Sequence, residues 1–212
     1  MILRWLGHAA FSLQCEQTRL CLDPHAPGVV GGRFHLPAIE GPYDAVVVSH
    51  PHEDHHAWRP ILGTTHIVDT DQRVGELEIS FRAVAHDSVG GAAMGWSRMV
   101  RIRDRHGATL VHCGDIGAWS QQDVLWLQDA DVVLMPVGGN FTLNPDLAAE
   151  LCRQIGPRMI VPMHAQDPMV DLALASTDDF VRQLQWTSER LDQLTIAANC
   201  REARIISLRR DL

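Results

Sequence analysis

Four times in this 212-residue chain a short apolar run stops at a residue that can bind a metal. Val46-Val47-Val48 leads to His50, and Phe81 to Ala85 leads to His86. Thr109-Leu110-Val111 leads through His112, Cys113 and Gly114 to Asp115, and Met159-Ile160-Val161 leads through Pro162 and Met163 to His164. Short apolar runs rich in β-branched residues read as buried strands. In layered α/β proteins, ligands gather outside the ends of the strands. The pattern therefore predicts a sheet-based fold with its chemistry at strand ends.

The densest of these endings is His50-Pro51-His52-Glu53-Asp54-His55. His50, His52, Asp54 and His55 put four ligand groups so close together that serving one tetrahedral ion would crowd the backbone. Two ions are the easier geometry. Alternate side chains of an extended stretch face the same way, so His50 and His52 can clasp one ion while Asp54 and His55, past a turn, reach a second. Imidazole with carboxylate suits zinc, manganese or iron.

The rest of the chain narrows the setting. A length of 212 residues with 46% hydrophobic content is enough to bury one full core, and no repeat or linker divides the chain, so one domain over residues 1–212 is expected. A formal charge of −8 disfavours nucleic acid or an anionic membrane as partner. All 18 basic residues are Arg; the absence of Lys removes Schiff-base chemistry and the phosphate-loop lysine. Five scattered cysteines without a Cys-x-x-Cys pair suggest neither a disulfide framework nor a thiolate metal site, and fit a reducing cytoplasm. The opening residues carry no apolar leader and no run is long enough to span a bilayer, so export and membrane insertion are not expected.

Around the ligand-bearing strands, Ala9 to Cys15 and Arg19 to Asp23 read as a hairpin that delivers His8 and Asp23 to strand ends. Residues 24–42 are rich in Pro and Gly and read as one long loop. Helical patterns cover Asp146 to Ile155, after Asn144-Pro145, and Thr177 to Leu191, after Ser176. Ala203 to Leu208 reads as a closing strand. The sum is a layered α/β sandwich.

Leu6-Gly7-His8-Ala9, Asp23-Pro24, the His-x-His-x-Asp-His motif at 50–55, Ala85-His86, Cys113-Gly114-Asp115, Pro136 to Thr142 and Pro162-Met163-His164 resemble, in this order, the metallo-β-lactamase superfamily. The resemblance spans essentially the whole chain and is nearest to its compact branch of ascorbate-phosphate lactonase-like, metal-dependent hydrolases. It implies a four-layered αββα sandwich with two metal ions at one sheet edge. It also implies that His50, His52 and His86 hold the first ion, that Asp54, His55 and His164 hold the second, and that Asp115 bridges them. Zinc is expected, with manganese as the alternative.

Two ions about 3.5–4 Å apart can share a hydroxide that is nucleophilic at neutral pH. Asp54 is the expected catalytic residue, since a carboxylate there can orient the nucleophile and pass a proton to the leaving group. His8 and Asn140 are candidate substrate contacts, the first by its position in the resembling hydrolases, the second from the Gly138-Gly139-Asn140 turn, whose N–H groups could receive an anion or oxyanion. Asp23 is a candidate support for a metal-bound histidine, with a turn cap before Pro24 as its other reading. Trp58 and Trp96 are candidate pocket walls, while His56 and His112 stay outside the ligand set. The expected activity is hydrolysis of a lactone, ester or phosphodiester in a small metabolite, which the lactonase resemblance suggests is anionic. The other reading is a metal-loaded binding or regulatory domain without turnover. Ser49 where Thr is frequent, and His56-Ala57 after the motif, are departures from the superfamily pattern.

Overall fold

A computed structural model describes residues 1–59, 61, 66–156 and 158–211. Two sheets face each other. The first has six strands, β1 (Ile2–Gly7), β2 (Ala10–Cys15), β3 (Thr18–Leu22), β4 (Ala45–Val47), β5 (Ile67–Val68) and β13 (Leu194–Thr195), in the order β13-β1-β2-β3-β4-β5. The second has eight: β6 (Gln72–Val74), β7 (Leu77–Ala85), β8 (Trp96–Arg103), β9 (Thr109–His112), β10 (Val132–Pro136), β11 (Met159–Met163), β12 (Thr187–Leu191) and β14 (Arg204–Leu208). Its order is β12-β14-β11-β10-β9-β8-β7-β6.

Strand alternation decides which residues lie between the sheets. Phe11, Leu13, Leu20, Leu22, Ala45 and Val47 of the first sheet join Ile79, Ile102, Leu110, Val132, Leu134 and Ile160 of the second in one buried core. The intervening Ala10, Cys21, Val46 and Val48 point the other way. They are covered by Ile39, Tyr43, Trp58 and Ile61, so among the described residues loops close this face. Helices α2 (Gln121–Leu127), α3 (Pro145–Ile155) and α4 (Thr177–Leu184) send Val124, Leu127, Leu151, Cys152, Ile155, Phe180 and Leu184 into the main core. The expected α/β sandwich of two facing sheets is present with helices α2–α4, but among the described residues the second helical layer of an αββα arrangement is not formed, α1 (Val29–Gly32) being a single distorted turn.

The sequence reading contains no counterpart of β1, β5, β6 or β13, and three further elements differ from it. The helix expected over Thr177 to Leu191 ends at Leu184, where Gln185 takes a left-handed conformation (φ 59°), and Thr187–Leu191 pairs in parallel with β14 instead. A ladder of five residue pairs outcompetes continuation of a helix whose next residues include the β-favouring Trp186 and Thr187. Helix α2 was not anticipated, although Ser120 and Asp123 form a reciprocal capping box at its start. Strand β8 was also not anticipated, although its burial alternates from Ser97 to Met99, with Arg98 between them only partly covered.

Parallel pairing of β9, β10 and β11 brings their C-terminal ends to one edge, and β3 pairs in parallel with β4 in the other sheet. Asp115, His164 and the motif after β4 follow these ends directly. The strand-end pattern in the sequence thus becomes a shared rim.

Candidate metal centre

The site is built on buried polar side chains. His8, Asp23, His50, His55, His86, Asp115 and His164 are each at most 2% exposed. With His52 and Asp54, potential ligand atoms form two groups without a shared member, each within 4.8 Å internally: His50, His52, His86 and Asp115, and His8, Asp54, His55 and His164. Asp115 Oδ2 lies between them. It is 3.7 Å from His50 Nε2 and 3.2 Å from His86 Nε2 on one side, and 3.2 Å from His55 Nε2 and 3.5 Å from His164 Nε2 on the other. Two ligands each about 2.1 Å from one tetrahedral ion stand roughly 3.4 Å apart, so these separations suit groups sharing a cation.

The unsatisfied atoms point the same way. His55 Nε2, both nitrogens of His86 and Asp115 Oδ1 are buried without a hydrogen-bond partner, a costly arrangement for the apoprotein that cations on the ligand atoms would relieve. Electrostatics agrees. Burial alone would depress the His55 imidazole, yet the Asp115 and Asp54 carboxylates outweigh it and raise its pKa well above the ordinary value. Burial likewise pushes Asp115 up, but His164 and His55 hold it well below the usual carboxylate range. The centre is arranged to hold positive charge. His50, by contrast, is lowered to about 3, chiefly by burial, so its neutral, lone-pair-bearing form prevails.

Asp23 fixes how the imidazoles present those lone pairs. Its Oδ1 accepts from the Ser49 backbone N–H at 2.7 Å, and its Oδ2 lies 2.5 Å from the Ser49 hydroxyl and 2.9 Å from His55 Nδ1. An ionised carboxylate only accepts, so Ser49 Oγ–H and His55 Nδ1–H both donate to it. Ser49 Oγ then accepts from His50 Nδ1, 2.9 Å away. In its neutral form each ring would therefore carry its proton on Nδ1 and present a lone pair on Nε2, the nitrogen turned toward Asp115. The support expected of Asp23 is present, and Ser49, which had stood out only as a departure, carries it to a second histidine.

Backbone constraints hold the ligands at the rim. Gly114 has φ 54°, and a Cβ there would lie 2.6 Å from the Arg98 carbonyl oxygen and 2.6 Å from Ser97 Oγ. The close turn sets Asp115 beside Ser97, whose hydroxyl accepts from the Asp115 N–H at 3.0 Å. His8 (φ 52°) and His164 (φ 48°) are left-handed despite their side chains, and the His164 N–H donates to the His8 carbonyl at 3.2 Å. Non-glycine residues in this region store strain that surrounding structure must hold. Arg98 braces the motif from the opposite sheet: Nε donates to the Ser49 carbonyl at 2.7 Å and a terminal nitrogen to that of Val48 at 3.1 Å. Its guanidinium also donates to the Asp69 carbonyl. No sequence motif marked Arg98 or Ser97, though both sit on the unrecognised strand β8.

His8 lies closer to the centre than a substrate contact need do. Its Nε2 is 3.2 Å from Asp54 Oδ2, its ring centroid is 3.9 Å from that of His164, and burial lowers its pKa to about 3. Asp54 Oδ2 is also 3.5 Å from His55 Nε2.

The centre opens into a cavity of about 230 Å3 lined by His52, Asp54, His86, Asp115 and His164 below and by Val30, Glu53, Met94, Phe141 and Leu172 around it. Phe141, the residue after the Gly138–Asn140 turn, joins this lining. Asn140 is exposed with φ 61° and is not among the lining residues. Trp96 is 62% exposed and outside the lining, where Met94 from the same loop stands, and Trp58 packs over the outer face of the first sheet. His112 is buried 2.9 Å from the Ala9 carbonyl and joins no ligand group, and His56 lies beside Trp58.

Residues 2–164 match the model of the beta-lactamase superfamily domain. This chain belongs to that superfamily. A UPF0173 metal-dependent hydrolase of Nitratidesulfovibrio vulgaris (strain DP4) is 30% identical over 196 residues, covering 76% of this chain and 79% of that protein. A UPF0173 metal-dependent hydrolase of Caldivirga maquilingensis is 27% identical, covering 76% of this chain and 81% of that protein. The fold is similar to a Thermotoga maritima protein assigned to the Zn-dependent hydrolases of the metallo-beta-lactamase superfamily, with TM-score 0.76, 24% identity and coverage of 98% and 97%. It is also similar to the isothiocyanate hydrolase from Delia radicum gut bacteria, with TM-score 0.69, 16% identity and coverage of 97% and 96%. The superfamily member described here is accordingly a metal-dependent hydrolase, which sets aside the non-catalytic binding domain. No helix among the described residues is long and apolar enough to cross a membrane.

Proposed function

We propose that this metallo-beta-lactamase-superfamily protein acts as one domain with a dinuclear centre, hydrolysing a lactone, ester or phosphodiester bond of a small molecule. His50, His52 and His86 would hold one ion and Asp54, His55 and His164 the other, with Asp115 facing both groups. The observation that carries this reading is the position of Asp115 Oδ2, within 3.7 Å of four histidine nitrogens drawn from both groups. Zinc is the expected metal and manganese the alternative, because the donor set is imidazole and carboxylate without thiolate. The free cysteines, four of them buried, fit a cytoplasmic setting.

Bound together, two such ions supply a water of lowered pKa and polarise the scissile oxygen. The residues position and move protons. Asp54 faces the cavity, and its Oδ2, held by neutral His8 at 3.2 Å, is placed to accept a proton and pass it to the leaving group. Asp23, through Ser49 and His55, keeps the imidazoles in the tautomer that binding requires. No arginine lines the cavity to receive the second negative group that the lactonase resemblance suggests.

Elemental mass spectrometry of protein purified without chelator, alongside His164→Ala, tests the reading. About two ions per chain, falling toward one in the variant, with hydrolysis of lactones or esters by the two-ion form, is the expected result. A protein that takes up no zinc or manganese on reconstitution refutes it.

A further inference from the structure

The side chains around the mouth of the cavity come from five segments, and their chemistry is one-sided. Val30, Met94, Phe141 and Leu172 are apolar, and the charged residue among them is Glu53. All 18 arginines lie among the described residues and the chain has no lysine, yet no arginine lines this space. Two arginines near the motif are engaged elsewhere: Arg98 on the Val48 and Ser49 carbonyls, Arg59 over the Trp58 ring.

These walls are braced before any ligand arrives. The Asp87 carboxylate accepts from the backbone N–H groups of Val89, Gly91, Ala93 and Met94 at 2.7–2.9 Å, which closes the loop carrying Met94 into a fixed turn. The Val30 N–H donates to Glu53 Oε2 at 2.8 Å, tying its loop to the metal-binding motif. Phe34 pairs with Val170, and the Asp171 N–H donates to the Arg33 carbonyl at 2.9 Å, so the loop bearing Leu172 is stitched to the loop bearing Val30. Phe34, Leu36 and Val170 form a small buried cluster beneath them, joined by Val30 and Leu172.

A carboxylate or phosphate remote from the scissile bond would lose water here and gain neither a cation nor a free donor side chain. An aliphatic or aromatic body would exchange water for four apolar side chains. With a cavity of about 230 Å3, below the roughly 300–1,000 Å3 of common drug-sized ligand sites, the occupant is small. We propose that the substrate is a small uncharged carboxylic ester or lactone whose apolar body lies against Val30, Met94, Phe141 and Leu172. This rests on the hydrolase reading above and narrows it, since a phosphodiester is itself charged. In the reaction, the oxygen of water joins the acyl carbon and the acyl–oxygen bond breaks. One water proton goes to the departing alkoxide, and the other ionises from the new acid.

The test uses matched six-carbon probes with the metal-loaded full chain: p-nitrophenyl hexanoate against the p-nitrophenyl monoester of adipic acid, which replaces the terminal methyl by a carboxylate. The expected kcat/KM is at least tenfold higher for the hexanoate, and Leu172→Arg is expected to narrow or invert the ratio. Equal or better turnover of the adipate monoester overturns the proposal. Calorimetric binding of hexanohydroxamic acid and of adipic monohydroxamic acid separates the two levels of inference. Tighter binding of the former, improving roughly three- to fourfold per added methylene in shorter homologues, supports the apolar pocket even if neither ester is cleaved. In that case only the hydrolase chemistry proposed above falls. Preference for the adipic compound, or binding of neither, overturns the pocket assignment itself.

Discussion

The floor and the walls of this site are held by opposite means. On the floor, His50, His55, His86, Asp115 and His164 stand at the ends of strands from two sheets, buried, and two of the imidazoles are locked to Asp23 directly or through Ser49. Around the mouth, Val30, Met94, Phe141 and Leu172 sit on loops braced through their backbones, so their side chains are free of hydrogen-bonding duty. A group on the floor cannot change without disturbing its neighbours, whereas a wall residue can change alone. The difference assigns reaction type to the floor and substrate choice to the walls.

The sharpest attempt to break that division is Asp115→Ala. Removing the carboxylate that faces both ligand groups is expected to lower kcat by about 10^4-fold, corresponding to several kcal/mol of lost charge stabilisation, and to reduce bound metal below two ions per chain. Elemental analysis with steady-state kinetics checks it; near-normal metal content and turnover would refute the bridging position. Asp54→Asn is expected to cost roughly 10^2- to 10^4-fold in kcat with KM little altered, since the amide keeps the shape but cannot take the proton. A change confined to KM would place Asp54 in binding only.

Asp23→Asn probes the floor one layer out. Its single carbonyl oxygen cannot replace both carboxylate oxygens, so the tautomers of His50 and His55 lose their anchor. Metal affinity measured by chelator competition is expected to fall about 10- to 100-fold. Unchanged affinity would mean that packing alone orients the rings. The mildest change is on the wall: Leu172→Ala is expected to raise KM for an apolar ester roughly three- to tenfold through lost contact area, leaving kcat and metal content unaltered. If metal content fell as well, the separation between floor and walls would not hold.

The same contrast explains what was legible in the sequence. Floor residues follow a rule of chain geometry, because an apolar run followed by His or Asp encodes both the strand and its end. Asp23 was legible for the same reason, as the residue closing the run that ends at Leu22. Wall residues follow no period. Val30, Met94, Phe141 and Leu172 are single apolar residues in irregular segments, and only the tertiary stitching of Phe34 to Val170 brings two of those segments together. Asn140 and Trp96 have the conspicuous chemistry but stand outside the lining, while their neighbours Phe141 and Met94 line the cavity. Among the elements, Thr187–Leu191 was read as helix because local periodicity cannot report a strand partner, β14, that lies more than ten residues ahead. The Ser120–Asp123 capping box, by contrast, was a local signal in plain view.

The Asp87 turn carries one further consequence. Because a single carboxylate gathers four backbone N–H groups, the loop's shape is written in its main chain and leaves the identity of residue 94 almost unconstrained. A lineage carrying this turn can exchange Met94 for a larger, smaller or charged residue and sample new substrates, while the metal-binding machinery a few residues away is inherited intact.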